Sequence, residues 1–337
     1  MRIVCLRGGF GFEHLTLEES PDPVPGPGQV LLGVRATALN FRDVSMVLGS
    51  YDPRFPEGAV LGSDAVGEVL ECGPGVTRFS VGDRVCPSMV PGWHEGPPTR
   101  ETPRRMLGGG REGTLAERMV VNEQDLVRPP VLLSDEEAAT LGCAGLTAYR
   151  ALFELGNTGS GTRVLVIGTG GVSSFAIQLA HAAGAQVLVV SRDEEKLVRA
   201  LELGADHGIF SGKVPQWGPA VRELAGGDGV DLVVEVGGAA TLEQSLRAVR
   251  AGGTVAFIGR TPGEPPAPSL VPIVMRELRL QGVLVGPKSS FEAFVKMLET
   301  TSVRPVVDHV FPLDDVREAF EYQASGMAFG KIVVKIG

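Results

Sequence analysis

The spacing of hydrophobic positions changes along the chain, and each spacing predicts a different kind of element. Near the start, short apolar or alternating runs such as Leu31–Arg35 and Gly67–Cys72 are separated by turns rich in Gly and Pro. Short strands at close spacing, with turn residues between them, are typical of a small β-barrel. We therefore predict a β domain in the first part of the chain.

Beyond Ser134 the hydrophobic spacing becomes helical. Ser134 is followed three residues later by Glu137, which is the pattern of a capping box. The apolar positions after it recur at helical spacing, at Leu141, Ala144, Ala148, Leu152 and Leu155. This pattern predicts a helix that begins at the capping box.

A series of apolar strands then alternates with helical segments. The predicted strands are Val164–Ile167, Val187–Val190, Asp231–Val236 and Thr254–Ile258, and the predicted helices are Val172–Ala183, Glu194–Leu203 and Leu242–Val249. Because such strands are apolar on both faces, the alternation predicts a doubly wound parallel sheet of the α/β class. A helix at Phe291–Thr300 and a strand at Lys331–Ile336 follow it.

Residues 87–113 show neither a helical nor a strand period and are rich in Pro, Gly and charge. A loop of this length in a compact domain is usually functional or mobile. An active-site lid and a surface excursion without a role both remain open for this segment.

Composition narrows the functional classes. A formal net charge of −9 over 337 residues argues against nucleic acid as the main partner, because neutralising phosphates requires clustered Lys and Arg. The four cysteines form no CxxC pair, the start of the chain lacks the apolar core of a signal peptide, and the most apolar region, 164–190, is broken by Gly and polar residues. We expect a soluble, cytoplasmic protein that acts on a small molecule and uses no membrane.

A glycine-rich turn directly after an apolar strand is the sharpest single motif. A pyrophosphate needs backbone N–H groups at a helix N-terminus, and glycines let it approach without a Cβ clash. The predicted contacts with a dinucleotide are Gly168, Thr169, Gly170, Gly171, Val172 and Ser173. A tight turn between a strand and a helix, without a ligand, is the alternative.

The end of the next strand selects between the two nicotinamide dinucleotides. Ser191 stands where NAD-binding chains have an acid for the ribose, and Arg192 follows it, with Lys196 one helical turn onward. A neutral Ser and a nearby Arg favour the 2′-phosphate of NADPH over NADH. Asp193 is either the ribose acid or the N-cap of the next helix, and the cap suits its position better.

With these residues in view, the chain resembles the medium-chain dehydrogenase/reductase superfamily, in particular its zinc-free quinone oxidoreductase-like branch. The resemblance rests on segments 25–43, 62–85, 113–121, 136–152, 164–187, 231–238 and 329–336. It implies a GroES-like β-barrel catalytic domain (1–145, with a return at 287–337) and a Rossmann dinucleotide-binding domain (146–286). It also suggests a homodimer through the edges of the Rossmann sheets, with 265–286 as the interface region.

The resemblance also implies that no zinc is bound. The zinc-dependent members have Cys where this chain has Asn40, and His followed by Glu where it has Ser63 and Asp64, whereas the third ligand, Cys143, is retained. Catalytic zinc needs about three protein ligands and an open position. We therefore expect no metal site.

Without a Lewis acid, conjugate reduction is the reaction that suits the scaffold best. By resemblance, Asn40 and Thr147 contact the nicotinamide, and Tyr51 is a polar contact or proton donor, while Gly237 and Gly259 are further cofactor contacts. Asn40 as a helix cap and Tyr51 as a turn residue remain alternatives.

The predicted function is hydride transfer from NADPH to a quinone, enone or 2-enoyl compound. The alternatives are a dehydrogenase of simple alcohols and a non-enzymatic NADPH-binding protein.

Overall fold

The structure is a computed structural model and describes residues 1–259 and 268–337. These residues divide into two compact units. Unit 1 comprises Met1–Leu146, Gly286–Thr300 and Arg304–Gly337, and unit 2 comprises Thr147–Val285 and Thr301–Val303.

The secondary structure elements are numbered in chain order. The strands are β1 (Arg2–Leu6), β2 (Leu15–Glu19), β3 (Gln29–Leu39), β4 (Ala65–Cys72), β5 (Arg84–Pro87), β6 (Arg118–Asn122), β7 (Leu126–Val127), β8 (Arg163–Ile167), β9 (Gln186–Ser191), β10 (His207–Phe210), β11 (Val230–Glu235), β12 (Val249–Phe257), β13 (Arg279–Gly282), β14 (Val307–Pro312) and β15 (Lys331–Lys335). The α-helices are α1 (Phe41–Val47), α2 (Asp135–Ala138), α3 (Leu146–Tyr149), α4 (Gly171–Ala182), α5 (Glu194–Glu202), α6 (Trp217–Leu224), α7 (Ala239–Ala248), α8 (Val271–Met275), α9 (Lys288–Leu298) and α10 (Val316–Ser325).

The main sheet of unit 1 has the strand order β14-β15-β3-β4-β5-β7, and β6 also pairs with β3. All pairs are antiparallel except β14 with β15. The register places Ile332 of β15 opposite Leu39 of β3, and Ala65 of β4 opposite Thr37. Because of this register, the start of β15 and the residues before β4 lie beside the end of β3.

Unit 2 is built on a six-stranded sheet with the order β10-β9-β8-β11-β12-β13, in which every pair is parallel. The central strands are fully buried, as at Val164, Leu165 and Val166, which explains why they are apolar without alternation. The sheet agrees with the predicted doubly wound arrangement. β10 and α6 were not predicted, and β10 has only one buried residue, Ile209.

The predicted capping box is present. The N–H of Ser134 donates to Glu137 Oε2 at 2.8 Å, and the N–H of Glu137 donates to Ser134 Oγ at 3.2 Å. The continuous α-helix predicted after it is not present, because α2 ends at Ala138 and π-helical segments flank α3. In the first of them, Leu141–Gly145, two backbone N–H groups bond to the side chain of Asp64 and are withdrawn from the regular helical ladder.

Across residues 1–259 and 268–337, no helix has both the length and the apolar character that crossing a membrane requires.

Candidate functional site

Asn40 lies at the junction of β3 and α1, where it is the N-cap of the helix. Its backbone N–H donates to Asp43 Oδ2 at 2.9 Å, which is one arm of a capping box. The capping alternative is therefore correct for the backbone of Asn40. Its side-chain amide also bonds to other residues.

The amide of Asn40 is bonded to a buried lysine. Lys331 Nζ donates to Asn40 Oδ1 at 2.6 Å and to the carbonyl oxygen of Leu39 at 2.6 Å. Lys331 begins β15, and its residue is 2% exposed. An ammonium group has donors and no acceptor, so its position requires that the oxygen of the amide faces it.

The nitrogen end of the same amide faces Ser63. Asn40 Nδ2 lies 3.3 Å from Ser63 Oγ, and Ser63 Oγ in turn donates to Asp43 Oδ1 at 2.9 Å. Arg42 Nη1 donates to Asp43 Oδ1 at 3.2 Å and to the carbonyl oxygen of Leu107 at 2.9 Å. We call Asn40, Asp43, Ser63 and Lys331 the Asn40 cluster.

Asp64 is buried beside this cluster and bonds to the π-helical segment. Its Oδ1 accepts from the N–H of Gly142 at 3.0 Å and its Oδ2 from the N–H of Cys143 at 3.2 Å. Burial raises the pKa of Asp64 to about 7, against the opposing effect of the Lys331 ammonium. Although part of Cys143 reaches solvent, burial of its thiol and the neighbouring Asp64 raise the pKa of Cys143 to about 12.

These side chains do not fit a zinc ion. Asn40 Oδ1 already accepts from a cation and Ser63 Oγ donates to a carboxylate, so Cys143 alone of the three positions carries a donor that zinc prefers. A thiolate or neutral imidazole is the donor that zinc prefers, and an ammonium beside the site repels a dication. Within the described part of the chain, no three His, Cys, Asp or Glu side chains are grouped to hold a metal ion.

Tyr51 is half-buried in unit 1 and follows α1. Its hydroxyl lies 3.9 Å from Met106 Sδ, and the Arg42 guanidinium stands 5.1 Å from the centre of its ring. Through Arg42 and its bond to Leu107, the later part of the 87–113 loop packs against the Asn40 cluster. This part of the loop is therefore not a free surface excursion.

Thr147 lies on α3, between the two π-helical segments, and is 4% exposed. It is the first residue of unit 2, whereas Asn40 and Tyr51 belong to unit 1. π-Helical turns are frequent at functional sites, which agrees with a functional position for Thr147.

The glycine loop has the geometry that a pyrophosphate requires. Gly168 has a φ of +74°, which favours glycine, and Gly170 is the N-cap of α4. A Cβ on Gly170 would meet no atom within 4 Å, so open space lies where a phosphate would enter. The hydroxyl of Ser173 donates to the carbonyl oxygen of Ile167 at 2.8 Å and so already has an acceptor within the protein. The residues around this loop fit a dinucleotide.

Asp193 is the N-cap of α5, as expected, and its Oδ1 accepts from the N–H of Lys196 at 3.1 Å. Ser191 Oγ accepts from the N–H of Asp193 at 3.1 Å, and Arg192 between them is exposed. Lys196 Nζ lies 4.0 Å from Asp193 Oδ2. The lysine thus already has a carboxylate neighbour, which reduces what it could add to a bound phosphate.

Glu235 is a buried carboxylate that organises the loop after β11. Its Oε1 accepts from the N–H groups of Gly237 and Gly238 at 2.7 and 3.1 Å, and its backbone oxygen accepts from the N–H of Gly259 at 3.0 Å. The two predicted cofactor glycines, Gly237 and Gly259, are therefore held by one residue. Burial raises the pKa of Glu235, and the hydroxyl of Thr241 also bonds to it.

The sequence interpretation missed Lys331 and Glu235. Each is a charged residue next to apolar neighbours at one end of a strand, in KIVVK and VDLVVE. A charge in such a run is a signal of a buried, paired group. What it pairs with cannot be read from the pattern.

Two family models match the chain. Residues 26–131 match the alcohol dehydrogenase GroES-like domain, and residues 171–300 match the zinc-binding dehydrogenase model. These matches, together with the parallel sheet of unit 2, confirm the predicted fold class. The three positions that the resemblance relates to zinc ligands, Asn40, Ser63 and Cys143, lie outside residues 171–300.

Relatives match nearly the whole chain. A zinc-type alcohol dehydrogenase-like protein of Schizosaccharomyces pombe is 40% identical, over 97% of this chain and 96% of the relative. An acryloyl-coenzyme A reductase of Sulfurisphaera tokodaii is 31% identical, over 95% and 96%.

Solved structures are similar over the same length. The crystal structure of a putative alcohol dehydrogenase from Sinorhizobium meliloti 1021 has 38% identity and a TM-score of 0.92, and the match covers 99% of this chain and 98% of that one. The crotonyl-CoA carboxylase/reductase AntE, in complex with NADP, has 25% identity and a TM-score of 0.88, with 99% and 94% covered. The chain is therefore an oxidoreductase that belongs to the medium-chain dehydrogenase/reductase superfamily.

Proposed function

We propose that the chain is a zinc-independent oxidoreductase that reduces conjugated carbonyl compounds, namely quinones, enones or 2-enoyl compounds, with NADPH. The observation that supports this most is the bond from Lys331 to Asn40 Oδ1. By the resemblance, Asn40 stands at a position where zinc-dependent members have a metal ligand, and its amide oxygen is here bonded to an ammonium.

The chemistry of the Asn40 cluster suits a reaction in which negative charge develops on an oxygen. When bound, NADPH supplies the hydride that adds to the β-carbon of the substrate. The protein must then donate hydrogen bonds to the carbonyl oxygen, and fixed donors in a site without bulk water stabilise such a charge strongly. Asn40 Nδ2 donates to Ser63 Oγ at 3.3 Å and to the carbonyl oxygen of Ala38 at 3.4 Å, and the proposal is that one of these long bonds is exchanged for a bond to the substrate oxygen.

The residues at the end of β9 support NADPH as the cofactor. Ser191 Oγ accepts from Asp193, which leaves its own proton for a phosphate oxygen, and the exposed Arg192 adds a positive charge. The side chain of Asp193 already caps α5, which argues against Asp193 as the ligand of the ribose. The relative AntE binds NADP, which agrees with this choice.

The names of the relatives also bear on the substrate. The acryloyl-coenzyme A reductase and the crotonyl-CoA carboxylase/reductase are named for 2-enoyl thioesters, which are conjugated carbonyl compounds. Other relatives are named alcohol dehydrogenases, and oxidation of simple alcohols is therefore the second candidate.

The test is oxidation of NADPH and NADH by the purified protein with a panel of quinones, enones, 2-enoyl thioesters and aldehydes, each with and without a chelator. We expect NADPH oxidation with a conjugated carbonyl, insensitivity to chelator and far less than one zinc per chain. Chelator-sensitive turnover of alcohols, with zinc near one per chain, would establish the alternative. Binding of NADPH without turnover of any compound would indicate a non-enzymatic protein.

We also propose a homodimer in the cytoplasm. β13 is the edge strand of the unit 2 sheet and all its residues are exposed, and Val274 and Met275 of the preceding helix are 76% and 75% exposed. Residues 265–267 of the expected interface lie outside the described residues. Cys5, Cys72, Cys86 and Cys143 are free thiols, which suits a reducing compartment.

A further inference from the structure

We propose that Lys331 is a positioning residue of the candidate active site, and that its ammonium group orients and polarises the Asn40 amide so that Nδ2 donates to the substrate oxygen. The inference rests on the proposed function, and the family comparisons assign no role to this residue.

The bonding pattern permits one orientation of the amide. Lys331 Nζ can only donate, so Oδ1 must face it, at 2.6 Å. On the other side, Ser63 Oγ gives its proton to Asp43 and can therefore only accept from Asn40 Nδ2. Loss of Lys331 would remove the ammonium that holds Oδ1 and would leave the amide dependent on its longer Nδ2 bonds, to Ser63 Oγ at 3.3 Å and to the carbonyl oxygen of Ala38 at 3.4 Å.

The exposed fractions of the cluster residues show which side chain can contact a substrate directly. Asn40 is 8% exposed, whereas Lys331 is 2% exposed and Asp43 and Ser63 are fully buried. Lys331 therefore acts through Asn40. A cation bonded to an amide oxygen also strengthens the amide N–H groups as donors, because hydrogen bonds in a chain polarise one another.

The surrounding charges explain why a buried ammonium is tolerated. Asp64 lies close enough for its carboxyl group to interact with the Lys331 ammonium, while Arg42 compensates Asp43 through an ion pair of 3.2 Å. A buried charge persists when it is paired and hydrogen-bonded. The cluster thus holds one cation directed at the amide of Asn40.

A double-mutant cycle tests the proposal. We expect Lys331→Met to lower kcat on the order of 100-fold in single-turnover reduction of an enone, with the Kd for NADPH within about twofold of wild type. Because Lys331 acts through Asn40, Lys331→Met should cause almost no further loss in an Asn40→Ala background. Lys335→Met, on the same strand but exposed, is the control and should leave kcat unchanged. Equal losses in both backgrounds would overturn the proposal.

An infrared measurement gives a second readout. With NADP⁺ and a ¹³C-carbonyl enone bound, no hydride can be transferred, and the carbonyl stretch reports the hydrogen bond to the oxygen. We expect a shift to lower frequency in wild type that is lost in Lys331→Met and in Asn40→Ala. A shift that Lys331→Met retains would contradict the proposal.

Two further arms keep the outcome unambiguous. If Lys331→Met does not fold, the same cycle is run with Lys331→Arg. The planar guanidinium keeps the charge but cannot make both 2.6 Å bonds from one nitrogen. We expect it to lower kcat in the chain that keeps Asn40 and to cause almost no further loss in the Asn40→Ala variant. If wild type oxidises alcohols and reduces no conjugated carbonyl, the proposed function fails. The cycle on the alcohol then tests Lys331 separately. A wild type without any turnover would overturn both.

Discussion

At the scale of single residues, buried carboxylates hold backbone segments that contain glycine. Asp64 accepts the N–H groups of Gly142 and Cys143, and Glu235 accepts those of Gly237 and Gly238. Backbone N–H groups that would otherwise be buried without a partner are satisfied in this way. Desolvation raises the pKa of both carboxyl groups, so each favours its protonated form more than an exposed acid does.

The raised pKa of Asp64 predicts a pH dependence of stability. The folded protein binds the proton more tightly than the unfolded chain, so the contribution of Asp64 is complete below pH 3.8 and is lost as the pH rises to about 7. The free energy of unfolding of wild type minus that of Asp64→Asn should therefore fall between pH 4 and pH 7 and then level off. Urea unfolding across this range measures it. Asp83→Asn is the control, because the pKa of Asp83 is lowered and its effect lies at more acid pH. A difference for Asp64 that rises with pH would contradict the assignment.

A second residue-scale prediction concerns Gly170. Gly170→Val should abolish NADPH binding while far-UV circular dichroism and Tm stay close to wild type, because the new side chain enters open space that a pyrophosphate needs. Gly159→Val, where a Cβ also meets nothing within 4 Å, is the control and should bind normally. Normal dinucleotide affinity in folded Gly170→Val would show that the loop does not hold the pyrophosphate.

At the scale of elements, the sequence predicts well those strands and helices whose burial is uniform. β8, β9 and β11 are apolar throughout most of their length, and α4 follows a glycine turn, so their spacing identifies them. β10 was missed because its pattern of exposure is mixed. The π-helical segment Leu141–Gly145 was missed because its bonds to Asp64 come from a residue far away in the sequence.

The candidate site was predictable to a similar degree. Asn40 and the glycine loop could be found from motifs, because a motif lies within one stretch of chain. Lys331 could not, since its partner is 291 positions away and only the pairing of β15 with β3 brings them together. In the same way, the packing of the 87–113 loop against Arg42 depends on tertiary contacts alone.

The junction of β9 and α5 predicts cofactor preference. Arg192→Ala should raise the KM for NADPH roughly tenfold and leave the KM for NADH nearly unchanged, because a charge-assisted bond to the 2′-phosphate is lost. Ser191→Asp should shift the cofactor preference of the protein toward NADH, because the new carboxylate repels the 2′-phosphate of NADPH. Arg199→Ala, at an exposed arginine on α5, is the control. Equal weakening of both cofactors by Arg192→Ala, or a wild type that prefers NADH, would indicate that Asp193 needs testing as the ribose ligand.

At the scale of the whole molecule, the exposed edge of the unit 2 sheet predicts self-association. Light scattering should give twice the 35.4 kDa mass of one chain. Val274→Asp with Met275→Asp should shift the mass toward one chain, because burying charges at an interface is costly. Val131→Asp, at an apolar residue of unit 1 that is 93% exposed, should have no effect. Wild type that runs as a monomer at micromolar concentration would contradict the dimer.

The long separation between Asn40 and Lys331 has a consequence for synthesis on the ribosome. The strands of unit 2 all lie between residues 163 and 282, so its sheet can form while the last part of the chain is still being made. The sheet of unit 1 cannot be completed before β14 and β15 have been synthesised, because these two strands come last in the sequence. A nascent chain therefore acquires the elements of its nucleotide-binding sheet before it can assemble the Asn40 cluster. A translation product that stops before residue 331 would keep the glycine loop but lack the ammonium that orients the amide.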